Sequence, residues 1–223
     1  LRVMGQVSYY VWLTKQFTAP INVAIPSGNF GNAYSAWFGR THGLPINEIL
    51  CSTNINDVLR RFIDKGVLEP LVTQPSVAPS MDIQIPSSLE RLIFDVSSET
   101  NSFYNQLQTN SKARLDEKGV DGLKNVFSSV TFSDEMITTL ITSLNDEFAI
   151  IFDPHSVTSV HMALDNDSSL PTVAVATASP EKFGNVISPL IKDFTETKIE
   201  EKEQYLTLST ENVEIIEAIK AFI

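Results

Sequence analysis

The sequence has very little cysteine and little histidine. Cys51 is the single cysteine and there are three histidines, so no internal disulfide can form and no His/Cys cluster has the spacing of metal ligands. These shortages exclude a disulfide framework and a zinc-finger type of site. They favour a reducing compartment, so we expect a cytoplasmic protein in which Cys51 is a core residue rather than a nucleophile.

Basic residues and long apolar runs are also scarce. Sixteen lysine and arginine residues stand against 27 acidic ones, which gives a formal net charge of −11. Nucleic-acid binding needs basic residues clustered on one face, so we expect no nucleic-acid partner and only local binding of any phosphate. No apolar run approaches the roughly 20 residues that span a bilayer, and residues 1–19 lack a signal-peptide pattern, so no membrane partner is expected.

The 223 residues are 43% hydrophobic, which is enough for one large domain or two small ones with a real core. Helical patterns alternate with short apolar runs, and this order predicts an α/β fold with a mainly parallel sheet and helices on both faces. The predicted strands are residues 21–25, 48–52, 148–152 and 171–176. Helices are predicted to about residue 17, at 32–42, at 56–65, through 87–146 with a break near "DEKGVDG", and in "HSVTSVHMALD" and "PEKFGNVISPLI".

The two ends of the chain carry further patterns. The first 17 residues have the spacing of a helix that is apolar nearly all round, and the chain begins inside this pattern at Leu1, so we expect an excerpt of a longer protein. This helix should be covered by a second copy, as in a homodimer, or stand unusually exposed. A charged run at 196–205 is expected to be a solvated face, and 212–223 predicts a docked final helix.

A glycine-rich loop, "PSGNFGN" at residues 26–32, follows an apolar run and opens a predicted helix. Gly28 and Gly31 allow sharp turns and close approach to a ligand, while the helix start offers unpaired N–H groups and the positive end of its dipole. Backbone donors of this kind can hold a phosphate without a lysine. The Walker lysine and the GxGxxG spacing are both missing. An ordinary strand-to-helix turn is the alternative.

Further motifs follow the loop along the chain, namely "STNINDVLRRFIDKG", "APSMDIQIPSSLERLIF", "DPHSVTSVHMAL" and "VATASPEKF". Together with "PSGNFGNAYSAWFGRTHGLPI" they resemble, in order and spacing, the C-terminal half of threonine synthases. The resemblance covers essentially all of residues 1–223. It implies the C-terminal part of a large cofactor-binding domain, without its N-terminal half, in a pyridoxal-phosphate enzyme of fold type II (the tryptophan-synthase-β type). Such enzymes convert O-phosphohomoserine and water to threonine and phosphate.

The resemblance also implies site residues. The loop would hold the phosphate of pyridoxal phosphate, and Thr177 in "VATASPEKF" would hydrogen-bond its pyridine nitrogen; by sequence alone Thr177 could equally cap the helix after Pro180. The loop residues concerned are Ser27, Gly28, Asn29, Phe30, Gly31 and Asn32. In this family the Schiff-base lysine lies in the N-terminal half, and none of the ten lysines of this sequence matches it, so no catalytic residue is assigned and the excerpt alone is expected to be inactive.

The histidine motif "DPHSVTSVH" allows several interpretations. His155 could be a general base, could donate to a phosphate, or could orient a helix N-terminus with Asp153 as the cap.

Other polar residues are expected near the same cleft. Asn54, Asn56 and Asp57 are interpreted first as helix caps and only by family position as neighbours of the cleft. Three residues after a proline-rich turn are expected to line it, namely Ser80, Met81 and Asp82.

Two functions of other classes stay open. One is a non-catalytic relative of threonine synthase that serves as a binding module. The other is an unrelated α/β protein whose loop holds a different phosphate-bearing ligand. A lysine in the family's context upstream of Leu1 would favour the enzyme, and its absence would favour a module.

Overall fold

The computed structural model describes residues 2–192 and 194–195. In chain order, its helices and strands are α1 (Arg2–Thr14), β1 (Ile21–Pro26), α2 (Gly31–Thr41), β2 (Ile46–Thr53), α3 (Val58–Lys65), β3 (Val67–Leu68), α4 (Leu89–Val96), α5 (Thr100–Asn110), β4 (Ala113–Arg114), α6 (Glu117–Lys124), β5 (Phe127–Thr131), α7 (Asp134–Phe148), α8 (Ser156–Leu164), β6 (Thr172–Ala174) and α9 (Gly184–Ile187). Short 3₁₀ turns lie at Pro79–Met81 and Pro180–Phe183. The charged run at 196–205 and the final helix predicted at 212–223 lie outside the described residues.

A parallel four-stranded sheet organises these elements. Its strand order is β5-β2-β1-β6, and all three pairings are parallel. The strands predicted at 21–25, 48–52 and 171–176 are confirmed as β1, β2 and β6. The strands β3 and β4 form a separate antiparallel ribbon, which the sequence did not predict.

Helices cover both faces of the sheet, as predicted. Along β1, Val23 and Ile25 point into a large core formed with residues of α2 to α6, whereas Ala24 points into a smaller core formed with α7 and α8. On β2, Cys51 likewise points into the large core and Leu50 into the smaller one. Because side chains alternate across a strand, burial on both faces requires the nearly continuous apolar runs that predicted these strands.

The strand predicted at 148–152 is wrong. Phe148 is the last residue of α7, and Ala149 ends that helix in the left-handed region with a φ of 55°. The fourth strand is β5 (Phe127–Thr131), which lies inside the stretch predicted to be helical. Its residues "FSSVT" are mostly half-buried or exposed, so they lack the apolar run that marks the other strands. The apolar residues of "FAIIFD" instead lie at the end of α7 and in the connection that follows it, where Ile150 is 50% exposed.

The break predicted near "DEKGVDG" lies beside this segment rather than within it. This segment forms α6, because Asp116 accepts a hydrogen bond from the Gly119 N–H at 2.9 Å and caps the helix start. The interruption lies just before it, at Ser111, which has a φ of 53°.

The helix α1 packs on α2 with one side and is open on the other. Tyr10 is fully buried, but Met4 and Trp12 are 58% and 65% exposed in the single chain. The helix was expected either to be covered by a second copy or to stand exposed, and in the single chain it stands exposed. None of the helices within residues 2–192 has the length and apolarity needed to cross a membrane.

Candidate functional site

A cleft with a volume of about 600 Å³ opens where β1 and β6 end. This is the carboxyl edge of the parallel sheet, where open α/β folds bind their ligands. The loop 27–32 forms one wall and the segment 175–178 forms another. Ser80, Met81 and His155 line the space between them, and α1 overhangs it. The predicted loop and Thr177 therefore share one cleft.

The loop after β1 has a shape that its residues enforce. A Cβ on Gly28 would lie 2.5 Å from the carbonyl oxygen of Ser80, so only glycine allows the loop and the segment that carries Ser80 to approach this closely. Phe30 adopts the left-handed conformation with a φ of 65°, and burial of its ring, 5.6 Å from that of Phe127, offsets the cost of this conformation. The Ser27 N–H donates to the Ser52 carbonyl at 2.9 Å and ties the loop to β2.

The helix α2 begins at Gly31 without a side-chain cap from any described residue. The first N–H groups of a helix have no partner within the helix, so those of α2 stay available at the cleft wall. They also carry the positive end of the helix dipole. The arrangement favours an anion at this position.

The side-chain amides of the loop are only partly engaged. Asn29 Oδ1 accepts from the N–H and the hydroxyl of Ser87, both at 3.3 Å. Asn32 Oδ1 accepts from two phenols, the Tyr9 hydroxyl at 2.6 Å and the Tyr10 hydroxyl at 2.5 Å. Both asparagines line the cleft, and neither amide nitrogen has a hydrogen-bond partner among the described residues.

Thr177 lies on the wall formed by the segment after β6. Its N–H donates to Ser156 Oγ at 2.9 Å, and Ser159 Oγ donates to the Val175 carbonyl at 3.1 Å. These hydroxyls of α8 hold the segment in place. The alternative interpretation, in which Thr177 caps the next helix, is not seen, because Ser179 occupies the N-cap position there.

His155 and Asp153 join the start of α8 to the segment that carries Ser80. Asp153 Oδ1 accepts from the His155 N–H and from His155 Nδ1, both at 2.9 Å. Asp153 is not the cap that the sequence predicted, because His155 itself occupies the N-cap position of α8. The other ring nitrogen, Nε2, accepts from the Ser80 N–H at 3.1 Å. This pair of partners places the single ring proton of His155 on Nδ1.

The pKa of Asp153 reflects this environment. Burial by itself would raise the pKa of the carboxyl, but the hydrogen bonds from His155 and Ser156 outweigh it and hold the pKa below its ordinary value. The ionised carboxylate therefore fixes the orientation of the histidine ring.

Asn54 and Asn56 are not the helix caps that the sequence predicted. Asn54 Nδ2 donates to Asp82 Oδ1 at 2.7 Å and to Ser76 Oγ at 2.7 Å, and Asn56 Nδ2 donates to Asp82 Oδ1 at 3.0 Å. This buried network anchors the proline-rich segment that carries Ser80 and Met81 into the cleft. The prediction that Asp82 lines the cleft is wrong, because its carboxylate turns inward to the two amides.

Asp57 occupies the N-cap position of α3, as the sequence predicted, although its side chain makes no capping hydrogen bond. Its carboxylate pairs with Arg60 at 2.7 Å and Arg61 at 2.9 Å along α3. Burial opposes ionisation, but these two guanidinium groups keep the pKa of Asp57 below its usual range. The residue stabilises α3 and does not reach the cleft lining.

Charge is distributed unusually around the cleft. Although the chain is strongly acidic, no Asp or Glu of the described residues lines the cleft, and Arg2 is the one cationic side chain of that lining. No lysine within the described ranges lines it either. The described part of the chain also contains no cluster of side chains suited to a metal ion. Apart from Arg2, the groups that this lining offers to an anion are neutral N–H and O–H groups.

The contribution of α1 was not predicted from the sequence. Arg2, Gln6 and Tyr9 line the cleft and are spaced by four and three residues, which places them on one face of the helix. That polar spacing was the available signal, but the abundance of apolar residues in the same helix obscured it.

The sequence of this chain is similar to those of known proteins. No protein-family model matches the chain. Threonine synthase of Pseudomonas aeruginosa is 30% identical over 195 residues, which cover 83% of this chain and 42% of that protein. Threonine synthase of Saccharomyces cerevisiae is 30% identical over 241 residues, which cover 94% of this chain and 47% of that protein. The chain is homologous to threonine synthases.

The structural comparison agrees with the sequence comparison. The crystal structure of pyridoxal-phosphate-bound threonine synthase from Brucella melitensis matches 98% of this chain with a TM-score of 0.84 and 26% identity. The match covers 50% of that threonine synthase, so the chain spans about half the length of the relatives it matches. The predicted fold class, a parallel sheet flanked by helices as in fold-type II enzymes, is confirmed.

Proposed function

We propose that this chain is the C-terminal part of the cofactor-binding domain of a threonine synthase, a pyridoxal-phosphate-dependent lyase. The substrates would be O-phosphohomoserine and water, and the products threonine and phosphate. One observation carries the proposal: in a homologue of threonine synthases, the loop 27–32 and Thr177 line one cleft at the carboxyl edge of the sheet. The single buried cysteine fits a cytoplasmic biosynthetic enzyme.

The residues of the cleft fit the cofactor. Its phosphate carries negative charge, and the wall at 27–32 offers backbone donors, an uncapped helix start and amide groups without a competing carboxylate. Gly28 keeps this wall close to Ser80, and a cleft of about 600 Å³ is within the range of small-molecule sites.

Each wall would have its own task. The N–H groups from Gly28 to Asn32 would bind the phosphate and fix the position of the ring, whereas the Ser27 N–H already donates to the Ser52 carbonyl. The Thr177 hydroxyl would meet the pyridine nitrogen as a neutral partner, which limits protonation of the ring. When bound, pyridoxal phosphate supplies an electron sink for negative charge that develops on the substrate. Ser80 and Met81 would close the cleft and keep water from its inner end.

Covalent attachment of the cofactor is a separate task. The lining of the cleft includes no lysine of the described residues, and a lysine is the residue that attachment requires. We therefore propose that this chain binds the cofactor reversibly and does not by itself form threonine.

The test measures binding and attachment separately. The purified chain is titrated with pyridoxal phosphate, and inorganic phosphate is then added as a competitor. Saturable binding that inorganic phosphate reverses is expected, and Thr177→Val should weaken it by about threefold to tenfold for the loss of one hydrogen bond. Thr41→Val is the matched control, because its hydroxyl donates within α2 to the Phe38 carbonyl and lies outside the cleft.

A second measurement follows the attachment. The mixture is reduced with borohydride, digested and mapped by mass spectrometry. No lysine should be labelled stoichiometrically. Stoichiometric labelling at one lysine would show that the attachment residue lies in this chain, and an absence of saturable binding would contradict the cofactor site itself.

A further inference from the structure

Two tyrosines of α1 converge on one oxygen atom of the loop. The hydroxyls of Tyr9 and Tyr10 lie 2.6 and 2.5 Å from Asn32 Oδ1, and the two rings are tilted with centroids 4.7 Å apart. A carboxamide oxygen has two lone pairs, so two phenol donors fill its capacity. The amide nitrogen of Asn32 is then the free end of the side chain.

The orientation of this amide follows from its partners. If the amide were rotated by half a turn, Nδ2 would face the phenol oxygens and the fully buried Tyr10 hydroxyl would lose its carbonyl acceptor. A buried hydroxyl without an acceptor is costly, so the pair of tyrosines selects one orientation. In that orientation Oδ1 points at α1 and the two N–H groups of Nδ2 are available at the cleft, which Asn32 lines.

We propose that Tyr9 and Tyr10 are positioning residues that fix the side-chain amide of Asn32 as a donor to an anion in the cleft. The inference rests on the proposed function, because the anion it concerns is the cofactor phosphate. It goes beyond that function by assigning to α1 a part in anion selectivity. Neither tyrosine has to touch the phosphate for this role.

The protonation of the phenols supports the assignment. Burial raises the pKa of Tyr9 to about 12 and raises that of Tyr10 well above its ordinary value. Both hydroxyls therefore keep their protons across the physiological range and act as donors to Oδ1. A phenolate at either position would instead attract the amide N–H groups and reverse the amide.

The experiment measures equilibrium dissociation constants of the full chain for inorganic phosphate and for pyridoxal phosphate. Tyr10→Phe and Tyr9→Phe remove one donor each and are expected to weaken phosphate binding by about threefold to tenfold. Tyr34→Phe is the matched control, since its hydroxyl meets Asp95 from the same helix α2 outside the cleft, and it should change binding by less than about twofold.

Asn32 variants separate orientation from packing. Asn32→Asp keeps both acceptor positions for the phenols but has no N–H to offer, so it should weaken phosphate binding by about a hundredfold. In an Asn32→Ala background the tyrosine substitutions should cause no further loss, because the group they orient is gone. A merely structural effect of Tyr→Phe would persist in that background.

Three results decide between the two proposals. If the unsubstituted chain binds neither probe, the proposed function is wrong. If it binds both and the tyrosine variants bind as tightly, or lose the same factor in the Asn32→Ala background, only the positioning role is overturned. If Tyr10→Phe does not fold, the same comparison is made with Tyr9→Phe, alone and combined with Asn32→Ala, because Tyr9 is partly exposed.

Discussion

The loops that follow β1 and β2 carry the same polar chemistry and use it in opposite ways. After β2, Asn54 and Asn56 are buried, and both ends of each amide are hydrogen-bonded within the chain. After β1, Asn29 and Asn32 line a cleft, and among the described residues their side chains bond through the oxygens only. The strands are neighbours in one sheet, so their setting is comparable. The saturation of hydrogen bonds, rather than the residue type, distinguishes a scaffold from a site.

The largest effect should come from breaking the saturated network. Asn54→Ala removes bonds to Ser76, to the Ala78 carbonyl and to Asp82 at a site with no exposure. We expect the free energy of unfolding to fall by about 3 kcal/mol, because several buried partners lose their bonds at once. Urea denaturation measures this loss. Asn105→Ala, at an exposed position on α5, is the control and should have almost no effect.

Gly28→Ala tests whether binding by the loop at 27–32 depends on the position of the neighbouring segment that carries Ser80. The added Cβ would meet the Ser80 carbonyl oxygen at 2.5 Å, so one wall must move. Affinity for pyridoxal phosphate should fall by at least about tenfold, and stability should fall by about 2 kcal/mol. Gly122→Ala, whose Cβ would have nothing closer than Val96 at 4.0 Å, should leave binding unchanged. Equal affinities for the two variants would show that the wall positions are not coupled.

The Asp153 carboxylate should make the wall at His155 sensitive to acid. A carboxyl whose folded pKa lies below its unfolded value of about 3.9 stabilises the fold above that value and loses this contribution as the pH falls through the folded pKa. Asp153→Asn should therefore cost about 1–2 kcal/mol at pH 7. The difference from the unsubstituted chain should shrink as the pH falls below about 4. A difference that stays constant with pH would argue against an ionised Asp153.

The smallest change in stability should come from the open loop itself. Asn29→Ala removes two long hydrogen bonds of 3.3 Å at an exposed contact with Ser87, so stability should change by less than about 0.5 kcal/mol. Phosphate affinity should still decrease by about threefold, because an amide donor leaves the cleft. Titration calorimetry and urea denaturation on the same sample separate the two effects. A large loss of stability would place Asn29 with the scaffold.

The sequence predicted those parts of the fold whose signals are local. β1 and β2 are buried on both faces and so read as apolar runs, and the loop at 26–32 shows its glycines directly. β5 could not be found in this way, because its serines and threonine give no apolar run at the sheet edge. The apolar run at 148–152 misled in the other direction, because it follows the C-terminus of α7 in a partly exposed connection.

The candidate site was predicted to a similar extent and for similar reasons. Thr177 and the loop were found through motifs, and the structure brings them into one cleft; their binding roles stay predictions. The part played by α1 was missed because the orientation of a helix depends on tertiary packing. The inward turn of Asp82 was missed because it depends on two amides more than 25 residues away in sequence.

The pairing of β1 with β6 also has a consequence for how the molecule folds. Asn22 and Thr172 meet across 150 residues, whereas Asn22 and Asn47 of the β1–β2 pair meet across 25. Closing the longer loop costs roughly 1.5 kcal/mol more chain entropy, and non-local pairing of this kind slows folding. The β1–β2 pair and its loop should therefore form before the strand that brings Thr177 to them. The cleft is expected to be completed only in a late step of folding, after most of the core is in place.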